Sequence, residues 1–274
     1  MDTKEILKKV RSIEIKTKGL SNHIFAGEYN TAFKGRGMTF SEVREYEIGD
    51  DLRTIDWNVT ARYNSPFVKV FEEEREITLM LMVDVSSSSS FGTNRRFKRE
   101  LVSEISAVLA FSAIKNNDKV GVIFFSDKIE KFISPSKGKK HILRIIKEIL
   151  TFESTSKKTN IKKALEYFNR VTKKRSICFL LSDFFDSDFF EPVKLSAKRH
   201  DLVAVNTLDS RELEIPNVGL LSLQDSEEDN EILVDSSDRK FRRNFKNKQL
   251  SRLETLKKEL SLCGADYIQL LTQE

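Results

Sequence analysis

From residue 77 onward the chain switches repeatedly between two hydrophobic rhythms. "ITLMLMVD" (77–84), "DKVGVIFFSD" (118–127), "RSICFLLSDFFD" (175–186) and "DLVAVNTLD" (201–209) are short, nearly continuous apolar runs. That pattern belongs to strands buried on both faces, as in the centre of a parallel sheet. Between them, "RRFKRELVSEISAVLAFSAIKNN" sets Leu101, Ile105, Val108, Leu109 and Ala113 at helical spacing. "GKKHILRIIKEILTF", "NIKKALEYFNRVT" and "FFEPVKLSAKR" predict further helices, and the alternating "KIEKFISP" (128–135) predicts an edge strand paired with the strand before it. After Pro216, "VGLLSLQDSEEDNEILVDSS" predicts a β-hairpin with an acidic turn at Ser226 to Asn230. A basic amphipathic helix over about 239–262 and a last strand, "ADYIQLLT", close the chain. The N-terminal "MDTKEILKKVRSIEIKTK" predicts a short amphipathic helix with Ile6, Leu7, Val10 and Ile13 on one face.

Strands alternating with helices imply an α/β class with a doubly wound, mostly parallel sheet and right-handed crossovers. We divide the chain into an N-terminal segment, 1–76, expected to pack on the sheet, and an α/β domain, 77–274. Ligands of such sheets bind at the carboxyl ends of the strands, near a topological switch point. Asp84 and Asp183 both end predicted core strands, so they can converge.

Composition narrows the function classes. With 39% hydrophobic residues in 274, a sizeable core is possible. Charged residues reach 32% but nearly cancel, leaving a formal net charge of +5. The basic excess lies in "RRFKRE", "KKTNIKK" and "RKFRRNFKNK", each broken by apolar or acidic residues, which reads as solvated helix faces rather than a nucleic-acid surface. Only the pI near 9.0 and the basic helix favour nucleic acid, and Phe241 and Phe245 suit a core stripe as well as base stacking. No run approaches the roughly 20 apolar residues of a membrane span, and the N-terminus lacks the apolar core and cleavage site of a signal peptide. Cys178 and Cys263 read as buried thiols in a reducing cytoplasm. His23, His141 and His200 stand alone in sequence, which speaks against zinc.

The candidate chemistry begins at "VDVSSSSSFG". Asp84, Ser86 and Ser88 form D-x-S-x-S at the end of the first core strand. Hydroxyl and carboxylate oxygens without sulfur or imidazole suit a hard cation such as Mg²⁺ or Mn²⁺; Mg²⁺ takes six oxygens at about 2.0–2.1 Å. Taken alone, Thr159 reads as an N-cap and Asp183 as a cap on the following helix. Jointly, the set points to an ion.

These five positions, Asp84, Ser86, Ser88, Thr159 and Asp183, resemble the metal-ion-dependent adhesion site of von Willebrand factor A domains. The resemblance implies that hydroxyls bind the metal directly while acids bind directly or through water. Such a shell leaves the dication under-neutralised, so a partner's carboxylate can complete it. One departure is that Lys157 and Lys158 precede Thr159 where glycines usually stand. We expect both lysines at the rim of a partner-binding face.

Residues 35–76 resemble the MoxR-associated domain of unknown function 58 family, whose members carry a von Willebrand A-like fold. The match rests on Gly35, Gly37, Phe40, Arg44, Tyr46, Gly49, Asp50, Arg53, Asp56, Trp57, Ala61 and Arg62, and on "ERE" at 74–76. Interleaved arginines (Arg44, Arg53, Arg62, Arg75) and acids (Glu45, Asp50, Asp51, Asp56 and Glu72 to Glu74) suit a fixed ion-pair network around Trp57. It is either a structural clasp or a recognition surface for an ATPase; "KGRGMTF" is not a phosphate loop. The resemblance implies a cytoplasmic, metal-dependent protein-binding module, an adaptor or partner of a MoxR-type AAA+ ATPase, and no enzyme. The alternative is a metal-dependent phosphoesterase using Asp84, Asp183 and Asp186. Against it, D-x-S-x-S lacks the second acid of D-x-D, and no histidine or lysine is placed by motif as acid or base.

Overall fold

The computed structural model describes residues 38–63, 65–73, 77–90, 97–224 and 231–272. They fall into two compact units that divide between Ile77 and Thr78. The amphipathic N-terminal segment and the acidic hairpin turn expected from the sequence lie outside the described residues.

In the first unit β1 (Met38–Glu45) pairs antiparallel with β2 (Phe67–Glu73), with an irregularity between Phe40 and Glu42. A 3-10 turn (Leu52–Thr54) and the short helix α1 (Trp57–Tyr63) join them. Aspartates punctuate this connection. Asp51 accepts from Arg53 N, and Asp56 accepts from Asn58 N and Val59 N at the start of α1. Arg44 grips Asp50 through two parallel bonds of 2.8 and 2.7 Å, and Lys69 reaches Asp56 at 3.3 Å. The expected network around Trp57 is not what forms. Trp57 is 70% exposed, and Arg53 and Arg62 make no ion pair among the described residues. The charges resolve into separate local pairs because each aspartate is already committed to capping a turn of its own.

The second unit holds a six-stranded sheet. Its strands are β3 (Thr78–Asp84), β4 (Lys119–Phe125), β5 (Ile129–Ser136), β6 (Ile177–Ser182), β7 (Asp201–Leu208) and β10 (Asp266–Leu271). Their spatial order is β10-β7-β6-β3-β4-β5, parallel throughout except for the β4–β5 hairpin at one edge. Helix α2 (Lys98–Lys115) connects β3 to β4; α3 (Lys139–Thr151) and α4 (Ile161–Val171) connect β5 to β6; α5 (Phe190–Arg199) connects β6 to β7. The short α6 (Ser210–Leu213), a separate hairpin of β8 (Leu220–Gln224) with β9 (Glu231–Asp235), and α7 (Arg239–Leu262) precede β10.

The apolar runs make this arrangement. Met80, Met82, Ile123, Phe125, Cys178 and Leu180 point to one face, against Leu165 and Phe168 of α4, Val193 of α5 and Leu260 of α7. Their neighbours Leu79, Leu81, Val122, Phe124, Phe179 and Leu181 point to the opposite face and are just as buried. Each such side chain contributes roughly 1.5–3 kcal/mol by leaving water. Where β4 passes closest, only hydrogen fits: a Cβ on Gly121 would lie 2.8 Å from Met80 Sδ and 2.9 Å from Pro135 Cγ. The chain leaves β3 for β4 and β5 on one side, then returns past β3 to β6, β7 and β10 on the other. The topological switch therefore falls between β3 and β6, where Asp84 ends β3 and Asp183 directly follows β6. Among the described residues no helix is long and apolar enough to cross a membrane.

Candidate metal centre

Two strand tips and one loop build the site. In the parallel register Val83 lies beside Leu181, so the next residues, Asp84 and Ser182, stand side by side. The Ser182 hydroxyl donates to Asp84 Oδ2 at 2.6 Å, and Ser86 N donates to Asp84 Oδ1 at 3.0 Å. The second bond turns the chain sharply after β3 into a 3-10 turn, Ser87–Ser90. That turn sets Ser86 Oγ and Ser88 Oγ 3.0 Å apart. Asp84, Ser86 and Asp183 are buried, and Ser88 is half-buried.

Thr159 arrives on the loop between α3 and α4. Glu130 anchors that loop, accepting from Ser154 Oγ at 3.0 Å and from Thr155 Oγ1 at 2.9 Å, while Asn160 N donates to Ser126 O. Ser87 N and Ser87 Oγ both reach the Lys157 carbonyl, at 3.2 and 3.0 Å, which ties the loop to the serine turn. The helix cap is Asn160, which accepts from Lys163 N; the sequence expectation of a cap at Thr159 is one residue early. Thr159 is half-buried, and Lys157 and Lys158 are exposed beside it.

Asp183 caps nothing. Helix α5 begins seven positions later, at Phe190, without a side-chain cap. Instead Asp183 Oδ2 takes a bond from Lys98 Nζ at 3.1 Å, and Asp183 Oδ1 one from Phe185 N at 3.3 Å. Phe184 is buried with a φ of 54°, a left-handed conformation that a bulky side chain rarely adopts. Arg252 of α7 clamps this bend, donating to the carbonyls of Asp183 (3.2 Å) and Phe184 (2.7 Å) with its guanidinium 3.4 Å from the Phe185 ring centre. Backbone strain held by surrounding contacts is a feature of functional sites.

Burial pushes the Asp84 carboxyl up to about 7, and nearby Asp183 adds to the effect, while the Ser182 and Ser86 bonds pull it back. Burial alone would lower Lys98, but Asp183 and Glu212 outweigh it and hold the ammonium above its ordinary value. Among the described residues no group of three or more His, Cys, Asp or Glu side chains could hold an ion. Any cation here must therefore draw on hydroxyls as well as carboxylates. Asp186 has both oxygens committed to backbone donors, Ile161 N at 2.7 Å and Ser187 N at 2.7 Å, so it serves as a tether for the start of α4.

Sequence reasoning missed Ser182, Lys98, Glu212 and Arg252. Glu212 had a local signal: Asp209 and Glu212 form a capping box on α6. Lys98 had none, and at 1% exposure it departs from the reading of "RRFKRE" as a solvated face, a stretch of which Arg95 and Arg96 lie outside the described residues.

Residues 42–254 match the profile of a family described as "Protein of unknown function DUF58". The uncharacterized protein Rv1480 of Mycobacterium tuberculosis is 26% identical over 275 residues, spanning 99% of this chain and 86% of that protein. The crystal structure of an aerotolerance-related membrane protein from Bacteroides fragilis aligns with a TM-score of 0.50 at 17% identity, covering 71% of this chain and 91% of that one. The SpRpn10 VWA domain aligns with a TM-score of 0.39 at 10% identity, covering 72% and 88%. The Bacteroides likeness shows the doubly wound α/β fold alone.

Proposed function

The chain belongs to the family of proteins of unknown function DUF58, and from that premise we propose that it is a protein-binding module that docks a partner's carboxylate on a divalent ion. The ion, Mg²⁺ or Mn²⁺, would be held by Asp84, Ser86, Ser88, Thr159 and Asp183. The observation that supports this reading is that Ser86 N bonds to Asp84, Ser86 Oγ lies 3.0 Å from Ser88 Oγ, and buried Asp183 is near enough to Asp84 to raise its carboxyl, at the switch point of the sheet. The donor set fits a hard cation, being oxygen throughout and mostly neutral. Bound there, the ion would act as a Lewis acid toward an incoming carboxylate. The chain's own residues do the rest: Ser182 and the Ser86 amide orient Asp84, Arg252 holds the Asp183 bend, and Lys157 and Lys158 offer positive charge at the rim.

A MoxR-type AAA+ ATPase or its protein substrate is the proposed partner, in the cytoplasm, on the strength of the family resemblance of residues 35–76. Arg44 is taken up by Asp50 in this segment, so exposed Arg53 and Arg62 are the better contacts for that partner. Phosphoester hydrolysis finds less support, because the third acid it would use, Asp186, is bound to backbone amides. The test is calorimetric titration of Mg²⁺ and Mn²⁺ against the wild type and an Asp84→Ala, Ser86→Ala double variant, with capture of partners from cytoplasm with and without EDTA. Equal ion affinity in both proteins would remove the site.

A further inference from the structure

Lys98 is among the largest side chains that the described fold buries completely. It opens helix α2, where the helix dipole disfavours a cation. Neither packing nor propensity explains a lysine there. Its ammonium bridges two carboxylates from distant parts of the chain, Asp183 Oδ2 at 3.1 Å and Glu212 Oε1 at 2.5 Å. Both are pre-set. The other oxygen of Glu212 accepts from Asp209 N at 2.8 Å in the capping box, and the Asp183 bend is clamped by Arg252. Lys98 thus has one partner among the proposed ion ligands and a second outside them.

We infer that Lys98 is the resident counter-cation of the ion site: it neutralises Asp183 in the ion-free protein, competes with a divalent ion for that carboxylate, and is retained by Glu212 when the ion takes Asp183. This rests on the strand tips being a divalent-ion site and adds how that site is regulated. A buried acid left without its cation is strongly unfavourable, so the ammonium lets the empty site persist folded. The same ammonium weakens ion binding through charge repulsion and through its hold on Asp183. Tight ion binding then requires a further negative group, which a partner's carboxylate supplies. Glu212 is a positioning residue here, since it touches the ammonium and not the ion.

The experiment is calorimetric titration of Mn²⁺ into the full chain as wild type, Lys98→Met and Glu212→Gln, with thermal unfolding of each with and without Mn²⁺. Lys98→Met should bind Mn²⁺ at least tenfold more tightly than wild type. It should melt lower without the ion and recover when it is added. Glu212→Gln leaves the ammonium wholly on Asp183 and should weaken binding several-fold; it tests the idea even if Lys98→Met does not fold. Wild type that binds Mn²⁺, with Lys98→Met no tighter or Glu212→Gln no weaker, overturns the role of Lys98 and leaves the ion site standing. No binding by any of the three proteins overturns both.

Discussion

Ser182 donates its hydroxyl to Asp84 Oδ2 at 2.6 Å, joining the last residues of β6 and β3 across the switch point of the sheet. The bond holds a buried carboxylate in place yet leaves lone pairs on both of its oxygens.

Ser182→Ala removes that donor from a buried acid, which costs about 1–3 kcal/mol. Ser182 Oγ also accepts from Phe184 N, so the left-handed bend loses a partner in the same change. If the proposed ion site holds, the loss should shrink in saturating Mg²⁺, because an ion bound to Asp84 would take over the role of the hydroxyl. Urea unfolding of both proteins with and without Mg²⁺ measures it; a loss indifferent to Mg²⁺ would speak for a structural carboxylate only.

Arg252→Met deprives the Asp183 and Phe184 carbonyls of their shared donor and removes the stack on Phe185. A destabilisation of about 1–3 kcal/mol is expected. Lysine should restore little of it, because the contact depends on a planar guanidinium. Denaturant midpoints of the Met and Lys variants settle the comparison.

His200 gives a pH dependence with a definite sign. Burial, helped by Arg199, lowers its pKa from 6.5 to about 4; its ring sits 4.5 Å from that of Phe168 and its Nδ1 is 3.0 Å from Ser176 Oγ. Between those values the unfolded chain binds a proton that the folded chain refuses, so this contribution is complete above 6.5 and is lost as pH falls toward 4. Asp84 works the opposite way, because ionising its carboxyl as pH rises toward 7 costs stability. The difference between wild type and His200→Gln isolates the histidine. Denaturation midpoints should converge as pH drops from 6.5 to 4, and parallel curves would refute the assignment.

Gly121→Ala should destabilise by roughly 1–3 kcal/mol, the usual cost of overpacking. Its new methyl would meet Met80 Sδ and Pro135 Cγ, and only the thioether can yield. Combined with Met80→Ala, the change should cost less than the sum of the two single losses in thermal melts.

The sheet was legible because β3, β4, β6 and β7 are apolar on both faces, a local property that no distant contact can mask. The acids at their tips were legible for the same reason, since a carboxylate ending such a run stands out. Lys98 was not, because its partners lie 85 and 114 positions away and its neighbours Arg95, Arg96 and Arg99 make it look solvated. The cap was misplaced by one residue because Thr159 and Asn160 are both good N-caps, and backbone geometry rather than composition chose Asn160. Around Trp57 the expected network did not form: of the described arginines in that stretch only Arg44 is paired, and sequence spacing could not show that Asp50, Asp51 and Asp56 would each serve a turn of their own.

The Arg252 clamp also fixes a moment in the life of the chain. Arg252 reaches carbonyls 69 and 68 positions earlier, and Ser182 meets Asp84 across 98. Contacts at such separations close late, after shorter loops have formed. During synthesis from the N-terminus, every proposed ion ligand emerges before the arginine that steadies the Asp183 bend. A ribosome-bound chain ending short of α7 would therefore own all five proposed ligands and still lack the arginine that steadies the Asp183 bend, so the proposed centre would mature only once α7 has been made.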